Sequence, residues 1–144
     1  MVNNAIALLN AARRNAGKTA VVLTSSTGST NPPGAAADAL KNELDFWSDP
    51  EAQKSKGKFS PAAKTLMEIA ALKFVGRNQK NEVVDESAAK GAENVRLCIM
   101  NPSWILGPQL QPGDISGNGL PWEVLNRPIS HLYLPFSGAI FHNS

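Results

Sequence analysis

The stretch Ala20-Val21-Val22-Leu23, followed by Thr24-Ser25-Ser26, decides the fold class of this chain. Its first four residues are apolar, uncharged and partly β-branched, which is typical of a strand in a parallel sheet. Open α/β sheets bind their ligands beyond the carboxyl ends of such strands. The hydroxyls of residues 24–26 are therefore expected to lie where a ligand would bind.

The first hundred residues alternate between helical and strand patterns. Apolar residues at helical spacing predict helices over residues 2–15 and 61–75. Short apolar runs predict strands over residues 19–25 and 95–100. We expect an α/β fold in which helices flank both faces of a parallel sheet. Gly17 is expected to form the C-cap of the first helix.

The second helix has the clearest boundaries. Ser60 is a favoured N-cap residue and Pro61 a favoured first residue of a helix, while Gly76 ends the helical pattern. Lys64 and Glu68 are four residues apart and could pair. The face expected to pack against the core consists of Leu66, Ile69, Ala70 and Phe74. A lysine from this helix, aimed at the edge beyond Leu23, would place a cation beside the hydroxyls.

Composition excludes several classes of protein. The 144 residues carry 14 basic and 12 acidic side chains, so the net charge of +2 suggests no nucleic-acid partner. No apolar run is long enough to span a membrane, and the first residues lack the charged start of a signal peptide. The single cysteine, Cys98, excludes an intrachain disulfide and is expected to pack within its strand. We therefore expect a soluble, cytoplasmic protein with no membrane contact.

Four segments in order resemble the extended short-chain dehydrogenase/reductase family, in its dihydroflavonol reductase and cinnamoyl-CoA reductase branch. They are residues 22–26 (Val-Leu-Thr-Ser-Ser), 46–50 (Phe-Trp-Ser-Asp-Pro), 64–68 (Lys-Thr-Leu-Met-Glu) and 101–108 (Asn-Pro-Ser-Trp-Ile-Leu-Gly-Pro). The order of four segments is much more specific than any one of them.

The resemblance implies part of a Rossmann-like domain. Residues 1–113 would be its second half, and residues 114–144 would begin an incomplete segment on the substrate side. The tail pattern predicts a short helix near residues 121–126 and a third strand over 129–136. The amino-terminal, nucleotide-binding half is expected to be missing, because no Gly-x-Gly-x-x-Gly motif occurs in the chain.

The resemblance also implies a reaction and its residues. In this family a hydride passes between NADP or NAD and a carbonyl of a small-molecule substrate. Ser26 matches the serine that holds the carbonyl oxygen, and Lys64 matches the lysine that acts on the catalytic tyrosine and binds the nicotinamide ribose. Ser60 stands where the family has that tyrosine. The residues matching cofactor contacts are Thr24, Lys64, Pro102 and Ser103.

Each of these residues also has a plainer interpretation. Ser60 could be only a helix cap, and Ser26 could only form hydrogen bonds at the strand end. Pro102 could simply end its strand, and Lys64 could be a solvated helix lysine. A serine hydroxyl is far less acidic than a phenol, whose pKa is about 10. The sequence therefore predicts an impaired oxidoreductase, or alternatively a non-catalytic remnant or interaction module on the same scaffold.

Other functions have weaker support. The residues around Ser26 lack the first glycine of a Gly-x-Ser-x-Gly elbow, and the two histidines, His131 and His142, lie in the tail. No pair of Cys98 and these histidines has zinc-ligand spacing. Half a parallel sheet would expose an unpaired strand edge and an apolar face, so self-association through that edge is expected.

Overall fold

The computed structural model describes residues 1–32, 47–103 and 105. The chain divides into one unit of Met1–Pro102 and a second of Ser103–Ser144. Of the second unit, Ser103 and Ile105 are described, and both are exposed. The predicted boundary at residue 113, the tail helix, the third strand and both histidines lie outside the described residues.

The first unit is a parallel two-stranded sheet with helices packed on it, which confirms the α/β class in its coarse form. Its two strands pair in parallel, with Thr19 beside Val95 and Thr24 beside Met100. The elements in chain order are α1 (Val2–Arg14), β1 (Thr19–Thr24), a 3-10 turn (Thr27–Thr30), α2 (Pro50–Ser55), α3 (Phe59–Phe74), α4 (Glu86–Gly91) and β2 (Val95–Met100). The longest helix, α3, lies in the crossover between the strands, as parallel pairing requires.

The two faces of the sheet differ. One face packs against α1 and α3 in a core that contains Ala5, Leu9, Ala12, Val21, Leu23, Met67, Ala71, Ala92 and Val95. On the other face, the side chains of Val22 and Met100 are 53% and 55% exposed, and Cys98 is exposed as well. Side chains along a strand alternate between faces, so Val22, Cys98 and Met100 share this second face. The prediction that Cys98 is packed is therefore wrong, and among the described residues no helix covers this face.

The side chain of Asn94, the residue before β2, caps the carboxyl end of α1. The Nδ2 group of Asn94 donates to the carbonyls of Ala12, Arg13 and Asn15 at 3.3, 3.2 and 2.8 Å. Asn15 is already extended, with φ −72° and ψ 137°. The predicted glycine C-cap at Gly17 is therefore wrong, because the amide of Asn94 satisfies the last carbonyls instead.

The helix α3 begins two residues earlier than predicted, at Phe59 rather than Pro61. Lys58 is its N-cap residue and makes no capping bond through its side chain, so Ser60 and Pro61 lie within the first turn. This is tolerated because a proline anywhere in the first turn gives up only an N–H that has no intrahelical partner. Gly76 follows the helix with φ 70°, as expected of a terminating glycine.

The buried face of α3 is polar in part and differs from the prediction. The buried residues are Ala62, Thr65, Met67, Glu68 and Ala71, whereas the predicted stripe of Leu66, Ile69, Ala70 and Phe74 is only half-buried. An apolar pattern could not identify this face, because Thr65 and Glu68 are buried through hydrogen bonds rather than through hydrophobicity.

Candidate functional site

The carboxyl ends of the two strands stay together beyond the last paired residues. The amide of Ser25 donates to the carbonyl of Met100 at 2.7 Å, and the amide of Thr27 donates to the carbonyl of Pro102 at 3.1 Å. Since the strands are parallel, both chain segments leave the sheet at the same edge. This strand-end edge, formed by residues 24–29 and 101–102, carries most of the predicted site residues.

Ser26 initiates the turn that follows β1. Its backbone is extended, and its Oγ accepts a hydrogen bond from the amide of Gly28 at 3.2 Å. The carbonyl of Ser26 accepts from Nδ2 of Asn101 at 3.0 Å. The side chain is half-buried, and its hydroxyl hydrogen has no acceptor among the described residues. Ser26 can therefore donate a hydrogen bond to a ligand at this edge.

Lys64 reaches the same edge from α3. Its Nζ donates to the carbonyl of Thr24 at 3.1 Å. Thr24 itself is exposed, and Ser26 follows two residues later. One of the three N–H donors of the ammonium is used in this bond, which leaves two for a ligand. The structure thus brings Ser26, Lys64 and Thr24 to one edge of the sheet.

The turn after β1 lies directly against the first turn of α3. A Cβ atom added at Gly28 would be 3.2 Å from Cβ of Pro61 and 3.5 Å from Oγ of Ser26. The neighbouring Ser60 is exposed. Ser60 is therefore one residue from a point of contact with the Ser26 turn, on the helix that also carries Lys64.

The two residues predicted after β2 differ in their surroundings. Pro102 is half-buried and holds the amide of Thr27 through its carbonyl, so it belongs to the edge. Ser103 is exposed and falls in the second unit of the chain. The structure supports a place at the edge for Pro102.

A buried glutamate, which the sequence prediction did not assign to the site, lies beneath the edge. Oε1 of Glu68 accepts hydrogen bonds from the hydroxyls of Ser25 and Ser29, and from Nδ2 of Asn101 at 3.0 Å. The possible pair with Lys64 is not among the hydrogen bonds of Glu68; Nζ of Lys64 bonds to the carbonyl of Thr24. One feature of the sequence could have pointed to Glu68. Polar residues follow both strands, and when such residues are buried they need a hydrogen-bond partner.

Burial controls the charge of this carboxyl. Removal from water raises the pKa of Glu68 above its ordinary value of 4.5. The three hydrogen bonds and the positive charge of Lys64 oppose this rise without cancelling it. Its second oxygen, Oε2, is buried with no hydrogen-bond partner in the described part of the chain. A buried oxygen without a partner costs less on the neutral acid than on the carboxylate, which acts in the same direction as the rise in pKa.

A second polar cluster attaches α2 to the same turn. The hydroxyl of Thr65 donates to Oε1 of Gln53 at 2.9 Å, and Nε2 of Gln53 donates to the carbonyl of Gly28 at 2.8 Å. The hydroxyl of Ser48 donates to that carbonyl at 3.0 Å. Gln53 and Thr65 are fully buried, so these bonds fix the position of the turn relative to α3.

A cavity of about 630 Å³ lies on the helical side of β2. Its walls include Leu97 and Ile99 of β2 and Leu72 of α3, and it reaches Asn101 and Thr30 near the edge. Volumes of this size are typical of small-molecule sites.

Metal-binding clusters and membrane-spanning helices are both absent from the described residues. No group of three His, Cys, Asp or Glu side chains in this part of the chain could hold a metal ion. No helix among the same residues has the length and apolar content that crossing a membrane requires.

Comparison with protein-family models gives no match for this chain, and none of the curated proteins matches it either.

Proposed function

We propose that the strand-end edge is the nicotinamide-binding and reactive edge of an NAD(P)-dependent oxidoreductase of the extended short-chain dehydrogenase/reductase kind. Its substrate would be a carbonyl or alcohol group of a small organic molecule. The observation that carries this proposal is the 3.1 Å bond from Lys64 to the carbonyl of Thr24, which holds a cation at the carboxyl end of β1, two residues before Ser26. The class of reaction comes from the four ordered segments that resemble the family.

The edge has donors suited to the nicotinamide end of such a cofactor. Lys64 offers two unused N–H groups and Ser26 one hydroxyl hydrogen, which match ribose hydroxyls and a carbonyl oxygen. The cofactor supplies the hydride. Within the described residues there is no glycine-rich turn at a helix N-terminus for a pyrophosphate, so the proposal concerns the nicotinamide end alone.

A serine at position 60 leaves the proposed site without an effective proton donor. Proton transfer to a developing alkoxide needs a donor that titrates near the working pH, and an aliphatic hydroxyl does not. The loss of a positioned acid typically lowers the rate by roughly 10²–10⁴-fold. We therefore expect cofactor binding with little or no turnover.

Binding can be tested by titrating the chain with reduced nicotinamide dinucleotide and following nicotinamide fluorescence. Lys64→Met keeps the side-chain length but removes the ammonium, so we expect the affinity to fall about tenfold, as for the loss of one charge-assisted hydrogen bond. Lys73→Met removes an exposed charge near the other end of α3 and should leave affinity unchanged. Equal affinity in all three proteins would remove Lys64 from the site.

Turnover can be tested with Ser60→Tyr in a protein that binds the cofactor. Restoring a phenol one turn before Lys64 should raise the rate of aldehyde or ketone reduction by roughly 10²-fold or more. The matched control is Ser60→Phe, which adds the ring without the hydroxyl and should give no increase. Equal rates for the Tyr and Phe variants would contradict the assignment of Ser60 to the proton-donor position.

The alternative is a non-catalytic remnant or interaction module on the same scaffold. The exposed Val22 and Met100 on the uncovered face of the sheet favour it, because apolar surface of this kind is typical of contact surfaces. No binding at millimolar cofactor would favour this alternative over the oxidoreductase.

A further inference from the structure

One carboxyl oxygen connects α3 to three separate segments of the chain. Oε1 of Glu68 is hydrogen-bonded to Ser25 just after β1, to Ser29 in the 3-10 turn and to Asn101 after β2. Glu68, Ser29 and Ser25 are 0%, 0% and 5% exposed. Groups buried this deeply have little access to solvent that could replace a lost bond, so the geometry of the edge depends on this carboxyl.

The cluster has fewer hydrogens than donor–acceptor contacts, because the side chains of Ser25, Ser29 and Asn101 supply four hydrogens for six contacts. The Ser29 hydroxyl has one hydrogen but two acceptors within reach, the carbonyl of Ser26 at 2.7 Å and Oε1 of Glu68. One assignment that satisfies both contacts puts a proton on Oε1: the acid would then donate to Oγ of Ser29, and the hydrogen of Ser29 would go to the carbonyl of Ser26. An ionised Glu68 would instead compete for the hydrogen of Ser29 and weaken its bond to Ser26.

We propose that Glu68 is a positioning residue for the strand-end edge, whose buried carboxyl holds the Ser26 turn and Asn101 against the helix that carries Lys64. What the edge binds rests on the proposed function; the role of Glu68 in holding it does not. Glu68 acts through Ser29 and Asn101, both of which donate to the carbonyl of Ser26.

The groups that face Glu68 determine how the edge responds to pH. From β1, the 3-10 turn and the segment after β2 they are the uncharged Ser25, Ser29 and Asn101, and from α3 the charged Lys64. Ionisation would place a negative charge near Lys64, draw it away from the carbonyl of Thr24 and release Ser29 from Ser26. Both changes loosen the edge, so cofactor affinity should fall as pH rises.

The functional test measures the dissociation constant for reduced nicotinamide dinucleotide from about pH 5 to about pH 8. We expect wild-type affinity to decrease across this range, and Glu68→Gln to bind about tenfold more weakly at the acid end with no pH dependence. Leu9→Ala is the matched control, because it creates a cavity in the core under α1 and should retain the wild-type profile. A pH-dependent Glu68→Gln, or a Leu9→Ala with equally weakened binding, would overturn the proposal.

A second measurement does not depend on cofactor binding. Hydrogen exchange of the amides of Ser25, Thr27 and Ser29 reports the bonds that close the edge. Exchange at these amides should accelerate in Glu68→Ala while the amides of α1 keep their protection; Glu68→Gln serves the same purpose if Glu68→Ala does not fold. Unchanged protection at all three amides would overturn the role of Glu68. Accelerated exchange in a protein that binds no cofactor would uphold that role and remove only the proposed function.

Discussion

At the scale of single residues, the sequence predicts the positions of the ionisable side chains near the strand-end edge only in part. The sequence predicts Lys64 beside the hydroxyls of residues 24–26, and the structure places its Nζ on the carbonyl of Thr24. The spacing of Glu68 allows a pair with Lys64 on the helix surface, whereas in the structure Glu68 lies fully buried. Helical spacing predicts that residues 64 and 68 are neighbours, but it does not say which of them turns inward.

The buried acid predicts how stability depends on pH. Its pKa is raised in the folded state above the ordinary value of 4.5, so folding favours the protonated form. The resulting stabilisation is complete below the unfolded-state pKa and is lost as pH rises through the folded-state pKa. Urea unfolding of wild type and Glu68→Gln over that range should show a difference in the free energy of unfolding that changes with pH. A difference independent of pH would contradict the prediction.

At the scale of elements, helix boundaries depend on long-range partners. The helix α1 ends where Asn94, some 80 residues later, supplies its capping amide. The helix α3 begins without a side-chain cap at Lys58. The existence of both helices is predictable, since it depends on local spacing, but their ends are misplaced because tertiary contacts determine them.

Asn94 should contribute measurably to stability. Asn94→Ala removes three hydrogen bonds to carbonyls at the end of α1 and should lower the free energy of unfolding by about 1–2 kcal/mol. Asn10→Ala is a suitable control, because the side chain of Asn10 accepts an exposed hydrogen bond from Arg13 within the same helix. Thermal unfolding of the two variants checks this, and equal melting temperatures would count against the cap.

Alanine substitutions at three glycines should distinguish the cost of a positive φ from the cost of a steric clash. Gly17→Ala meets no atom within 4 Å and should be nearly neutral, while Gly57→Ala also meets none but has φ 70° and should cost about 1 kcal/mol. Gly76→Ala combines φ 70° with a Cβ only 2.2 Å from the carbonyl oxygen of Asp85, so it should cost more, about 2–4 kcal/mol. Urea unfolding should therefore rank the variants with Gly17→Ala the most stable and Gly76→Ala the least stable. A different ranking would contradict these backbone conformations.

At the scale of the whole molecule, the described part of the chain is a sheet covered on one side. The parallel pairing of two strands through a helical crossover is predictable, because short apolar runs alternate with helical spacing. The uncovered face is not predictable from the strands, since Val22 and Met100 are apolar although they are about half exposed. Apolar content alone does not distinguish a buried position from an exposed one.

This uncovered face and the strand edges should make the isolated chain associate. In the described residues β1 and β2 pair only with each other, and Val22 and Met100 offer apolar surface to a second copy. We expect sedimentation velocity to show concentration-dependent association that Val22→Lys with Met100→Lys reduces. Ser87→Lys, an exposed position on α4, is the control for added charge. A monodisperse wild-type monomer with a sharp unfolding transition would contradict the expectation.

The proposed function requires that residues 24–28 and Lys64 form one edge that binds a nicotinamide cofactor. The most direct measurement is the amide chemical-shift map of the ¹⁵N-labelled chain as reduced nicotinamide dinucleotide is added. We predict that the largest changes fall on the amides of Ser25, Ser26, Thr27 and Lys64. No change at millimolar cofactor, or changes centred on the far end of the cavity around Arg77, would contradict a cofactor site at this edge.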